Sequence, residues 1–260
     1  MKRLSYFVLI VIALACGSKS LDASSSEESL LEKPIKVTKE VNTCTAMAFF
    51  QKGAEILAKT YNKAGVEVSS QLTKVLEVSE QDGFTVAKVE GVNTDLMSKK
   101  ETNVTFSYKC NGKSVFFDIA SMYRTEAKNK DSSFQSGEFE FPLEVKVGET
   151  LPDISSSMES EQGGMKMSMT FTISNRQVEA EESITTEAGT WKCFKISNEI
   201  NVAMDVPGMD AKMKEMMASM QSENIMTATT WFTPELGVLK TEVYRNGELE
   251  STNRIISISK

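Results

Sequence analysis

No histidine occurs in the 260 residues. That absence removes the commonest general base, the usual Ser-His-Asp triads and the commonest zinc and iron ligand sets. Gly-x-Ser-x-Gly, P-loop, Gly-x-Gly-x-x-Gly and Cys-x-x-Cys patterns are also missing. One Ser-x-x-Lys, Ser257 to Lys260, falls at the end of a strand pattern, where chance spacing explains it. The acidic residues are plentiful but scattered, and no two stand out as a catalytic pair. No basic cluster appears and the net charge is −7, which argues against nucleic acid as a partner. Beyond the first 15 residues no apolar run approaches the ~20 residues that span a bilayer. The expectation is a protein that is not an enzyme and carries no cofactor.

What is present begins with an address. Lys2 and Arg3 precede an unbroken apolar run, Tyr6 to Ala15, which is too short to span a bilayer and suits a signal peptide over residues 1–15. Cys16 follows the small-residue cleavage site Ala13-Leu14-Ala15. A cysteine there fits a bacterial lipoprotein, lipidated at Cys16 and anchored to a membrane by its acyl chains. The alternative is a soluble secreted protein with Cys16 incidental. Loss of Lys2 and Arg3 with the signal takes the net charge from −7 to −9. Residues 16–33 are Ser-rich and acidic with few large apolar groups, the composition of a flexible tether. Residues 34–260 show no second linker and read as a single domain. The reading predicts an exported cell-envelope protein, an outer-membrane lipoprotein facing the periplasm or the surface.

Strand patterns dominate that domain. Trp231 to Ile258 is the clearest: Leu239, Thr241 and Val243 face one way, Lys240, Glu242 and Tyr244 the other. Asn246-Gly247 then supplies a tight primed turn into the returning strand. Asn111-Gly112 makes a second such hairpin between Val104–Cys110 and Val115–Ile119. A third joins Glu55–Tyr61 to Val66–Val78, and further strands are expected at Phe84–Glu90, Gly137–Val147, Met165–Val178 and Trp191–Ile196. Pro142 marks its strand as an edge or a bulge. Ser121 to Lys128 suggests one helical turn. The expected class is mainly β: an antiparallel, strongly curved sheet, whether half-barrel, barrel or sandwich.

One segment departs from the strand pattern. In Pro207 to Asn224, Met209, Met213, Met216, Met217 and Met220 recur at helical spacing, which predicts one Met-rich helix crossing a face or mouth of the sheet. Met165, Met167 and Met169 alternate along a strand and share one of its faces. Eight thioethers grouped this way admit three readings. They fill a pliable core or interaction surface, they line a site for an apolar ligand, or they bind Cu(I). Cys110 and Cys193, both in strong strand patterns, are the expected disulfide, though sequence alone leaves connectivity open.

The stretches KVGETLPD (Lys146 to Asp153), MTFTISNRQVEA (Met169 to Ala180), TTEAGTWKCFKIS (Thr185 to Ser197) and WFTPELGVLKTEVYRNGEL (Trp231 to Leu249) together resemble the TapB-like family, opening at Phe49 to Gly53. That resemblance implies a β-rich exported bacterial domain of unknown function and brings no catalytic residues. The combined expectation is a non-enzymatic, lipid-anchored envelope protein that binds an apolar small molecule or presents a surface to another envelope protein. The alternatives are an assembly component without a small ligand and a Met-based Cu(I) binder.

Overall fold

The computed structural model describes residues 43–118, 132–135, 138–162, 165–210, 212, 215–216 and 226–260. Residues 1–42, with the expected signal, Cys16 and the whole tether, lie outside them, as does the Ser121–Lys128 turn. Fourteen strands occur among the described residues. The first seven are β1 (Glu55–Asn62), β2 (Glu67–Gln81), β3 (Phe84–Asp95), β4 (Lys100–Cys110), β5 (Ser114–Asp118), β6 (Ser132–Gln135) and β7 (Glu138–Pro142). The others are β8 (Thr150–Leu151), β9 (Ile154–Gln162), β10 (Met165–Thr186), β11 (Gly189–Asp205), β12 (Met226–Thr233), β13 (Gly237–Arg245) and β14 (Glu248–Ser259). A four-residue helix, α1 (Thr43–Ala46), precedes them.

All fourteen belong to one antiparallel sheet, ordered β6, β9, β10, β11, β12, β13, β14, β1, β2, β3, β4, β5, β7, with β8 also paired to β10. Each Asn-Gly turn delivers its hairpin: Asn246 and Gly247 both take positive φ between β13 and β14. The C-terminal strand then docks on the first, with Ile56 opposite Ile258, and so joins the two halves of the sheet.

The sheet is open, with edges at β6 and β7, so the closed-barrel alternative does not hold. It nevertheless curls. Phe139 and Phe141 of edge strand β7 reach Phe171 of β10 at 6.0 Å and Phe232 of β12 at 5.9 Å between ring centroids. Those strands stand far from β7 in the strand order, so only curvature brings them together. A twisted sheet this wide must bend or split. Bulges in β2, β10, β13 and β14 supply local bends.

The curl wraps one continuous core. Phe49, Phe106, Tyr108 and Phe117 form its aromatic centre, with Phe49 and Tyr108 at 4.6 Å and Phe106 and Phe117 at 5.3 Å. Tyr108 is fully buried, and desolvation holds its hydroxyl well above the usual range. The disulfide differs from expectation: it joins Cys44 to Cys110, with Cα atoms 5.8 Å apart, and Cys193 is a buried free thiol. The short α1 helix, which has no strong sequence signal, packs Cys44 against the end of β4. Cys193 instead points into the core and donates to the Trp191 carbonyl at 3.8 Å.

The Met-rich helix expected over Pro207 to Asn224 falls largely outside the described residues and finds no support within them. No substantial helix occurs among the described residues. Val206 to Met209 makes a turn, closed by the Met209 N–H on the Val206 carbonyl at 3.1 Å. Only Lys212, Glu215 and Met216 beyond it are helical and described.

Candidate functional site

The inner face of the sheet is set by strand alternation. On β11 the inward positions are Ile196, Asn198, Ile200, Val202 and Met204. Their partners on β10 follow in register: Ile173 opposite Ile200, Phe171 opposite Val202, Met169 opposite Met204. Ile200, Met226, Ala228 and Val243 form a small apolar cluster separate from the main core, with Phe171 and Val202 packed on it. Toward the open end of these strands burial declines. Ile173 and Ile200 are buried, whereas Phe171, Val202, Met169, Met204 and Met167 are half-buried. The result is an apolar strip that starts in the interior and runs out to solvent.

The methionines expected to act together divide. Met165, Met167 and Met169 do share one strand parity, as alternation requires, and Met169 gains Met204, which the sequence reading passed over. Met209 is half-buried in the turn after β11, and Met216 is 56% exposed. Met213, Met217 and Met220 lie outside the described residues. A methionine lid over the strand is therefore not part of the described structure.

Below the strip lies a belt of uncharged polar side chains. Thr230, Thr241 and Asn253 are buried in consecutive strands β12, β13 and β14, and Gln71 is buried in β2 opposite Asn93 of β3. Asn198, 9% exposed, belongs to the same belt on β11. Some members satisfy one another. Asn253 Nδ2 donates to Thr60 Oγ1 at 3.0 Å, and the Thr230 and Thr241 hydroxyls lie 3.5 Å apart. Asn198 Nδ2 and Asn93 Oδ1 are buried and have no hydrogen-bond partner. Native interiors rarely leave such atoms unmatched. The belt was hidden in the sequence because inward parity depends on register, and Thr or Asn in a strand is as readily read as its solvent face.

A bulge in β10 creates the one buried cation among the described residues. Asn175 takes φ of 53°, and the extra residue turns Arg176 inward. Its guanidinium donates to the Pro152 carbonyl at 2.8 Å and to the Glu140 carbonyl at 3.5 Å, and lies 5.2 Å from the centre of the Phe141 ring. Burial draws it down to about 10, against the opposing pull of Asp153 and Glu140. Arg176 thereby fastens edge strand β7 to the β8–β9 connection.

The outer face carries the charges. Lys240 Nζ lies 4.3 Å from the centre of the Trp231 ring and pairs with Glu242 at 2.6 Å. Trp231 Nε1 donates to Glu182, and the Tyr244 hydroxyl donates to Glu242 at 2.5 Å. Burial works against the Glu242 carboxylate, but the hydrogen bonds from Lys240 and Tyr244 outweigh it and hold its pKa below the usual range. These are partnered contacts, some along β13 and some between strands, of a structural kind. Among the described residues no group of three or more Cys, Asp and Glu side chains is placed to hold a metal. The arrangement best suited to a ligand is the inner face, which offers apolar contact and uncharged hydrogen bonding.

The DUF3108-like family model matches residues 51–255, and the chain belongs to that family. No curated protein matches it. Two solved structures share the fold. One is a Bacteroides fragilis protein titled as exported with a YmcC-like fold, at 16% identity and TM-score 0.59, over 81% of this chain and 97% of that one. The other is a Parabacteroides distasonis protein titled as a lipoprotein, at 20% identity and TM-score 0.60, over 81% of this chain and 98% of that one.

Proposed function

We propose that this DUF3108-like protein is an exported, lipid-anchored envelope protein of non-enzymatic type that binds an apolar ligand on the inner face of its sheet. The apolar run with Cys16 after it supports export and anchoring, and of the fold neighbours one is described as exported and the other as a lipoprotein. An outer-membrane location and the narrower TapB-like grouping belong to the same proposal. The observation that carries ligand binding is the half-buried strip of Phe171, Val202, Met169 and Met204, an apolar inner surface continuous with the interior yet open at one end. Large apolar side chains on one concave surface are the usual lining of small-molecule sites. Uptake of a fluorescent alkane by the purified protein tests this. Wild type should bind, and Val202→Asp should abolish binding without unfolding the sheet; equal binding by both removes the strip as the site.

A second reading has its own observation. Val66, Leu96 and Met97 are exposed at neighbouring hairpin tips, Met97 to 64%, where the Leu96 N–H meets the Val68 carbonyl at 3.0 Å. Such a patch suits another envelope protein. Cross-linking in cells at Met97 would recover one defined partner under this reading and none under the first. Cu(I) binding would draw on Met167, Met169 and Met204, and a copper-bound mass would reveal it.

A further inference from the structure

We propose that Asn198 is the buried anchor of a site for a neutral amphiphile. Its side-chain amide hydrogen-bonds the ester or amide carbonyl of the ligand, whose apolar chain lies along Val202, Met204, Phe171 and Met169. This rests on the apolar-ligand reading above and specifies the polar part of that ligand. Asn198 sits on the inner face between Ile196 and Ile200, where an apolar residue would pack without cost. Instead a buried Nδ2 is left without a partner. An unmet buried donor costs about 1–3 kcal/mol. A ligand carbonyl removes that cost, which gives the asparagine a purpose that packing does not. Its register partner on β12 is the small Ala228.

The chemistry of the surroundings sets the ligand class. On its own strand and on β12 the inward neighbours of Asn198 are Ile196, Ile200, Ala228 and Thr230, none of them ionisable, and on β10 it faces the bulge that carries Arg176. The inward cation of the adjacent strand, Arg176, is engaged by the Pro152 and Glu140 carbonyls. A carboxylate or phosphate would therefore either draw that guanidinium off the backbone carbonyls it serves, leaving them unmet, or be buried unpaired, and both are unfavourable. A neutral carbonyl needs only the amide. Strand geometry provides the length: from Asn198 to Met204 the inner face extends about 20 Å, enough for a long acyl chain.

The test compares three pyrene-labelled probes of equal chain length on the purified protein: a monoacylglycerol, the fatty acid at a pH where it is ionised, and the alkane. The monoacylglycerol should bind tighter than both. Asn198→Leu should weaken the ester about tenfold, the worth of one hydrogen bond near 1.4 kcal/mol, and leave the alkane unchanged. Asn198→Ser, which keeps a donor, should fall between and carries the test if the leucine variant does not fold. Ester affinity unaffected by both variants overturns the anchor, and a fatty acid that binds as tightly as the ester overturns the neutral class. If the alkane also fails to bind wild type, the apolar-ligand reading falls first and this inference with it.

Discussion

Asn253 donates its side-chain amide to Thr60 Oγ1 at 3.0 Å, a bond that spans 193 residues of sequence and fastens the last strand to the first. β14 and β1 are where the two halves of the sheet meet, so this contact lies on the seam of the fold. Thr60→Val removes the acceptor and leaves the buried Asn253 amide unmet. The expected loss is about 1–3 kcal/mol of unfolding free energy. A urea titration would show it as a lower midpoint at unchanged slope. An unchanged midpoint would mean that the seam does not depend on this bond.

The disulfide makes a separate prediction. Cys44 and Cys110 close a loop with a sequence separation of 66. Reduction should cost on the order of 4 kcal/mol by the chain-entropy estimate. Cys193 should resist alkylation in the folded protein and react only on unfolding, because it is buried in the core. Peptide mapping after differential alkylation reads both results. A bridge to Cys193 in that map would contradict the structure.

Alkaline pH should weaken the fold for an identifiable reason. Cys193 is pushed up to about 12 from 9.0, first by burial and then by Glu182 and Glu235. Tyr244 is pushed up to about 12 from 10.0, first by burial and then by its hydrogen bond to Glu242. Both folded-state values are raised, so the folded chain keeps protons that the unfolded chain has already lost. Their stabilising contribution is complete below the unfolded values and disappears as pH climbs from about 9 toward about 12. Cys193→Ala and Tyr244→Phe should each flatten that decline in a series of urea midpoints, and parallel curves for all three proteins would refute the assignment.

Arg176 supplies a fourth prediction. Arg176→Ala strips the Pro152 carbonyl of its donor and removes the contact with Phe141. A loss of about 2–4 kcal/mol is expected from the unmet carbonyl and the cavity together. Arg176→Met refills the space and should lose less. Faster hydrogen exchange should appear first in β7, the edge that Arg176 fastens. Loss spread evenly over all strands would contradict that role.

Much of this architecture could be read from local sequence, and the limits of that reading have physical causes. Asn246-Gly247 and Asn111-Gly112 specify their turns by their own conformational preferences, so the hairpins around them follow directly. β9 escaped notice because ISSSMESEQ has neither alternation nor β-branched residues beyond Ile154. It is held as a strand by pairing with β10, a tertiary cause. The Cys44–Cys110 bridge depends on how α1 packs, and no spacing reveals that. Methionine composition suggested the apolar half of the candidate site, although Met204 emerged only through its register with Met169. The polar half, from Asn198 to Gln71, needed the whole sheet order before its members could be seen to share a face.

The central claim is that the inner face carries an apolar ligand, and native mass spectrometry of the protein purified from its own envelope tests it most directly. The account predicts a species heavier than the denatured polypeptide with its covalent modifications, whose excess mass extracts into organic solvent and is lost in Val202→Asp. A bare polypeptide mass for wild type, under conditions that preserve a lipid complex of a control carrier, would contradict it.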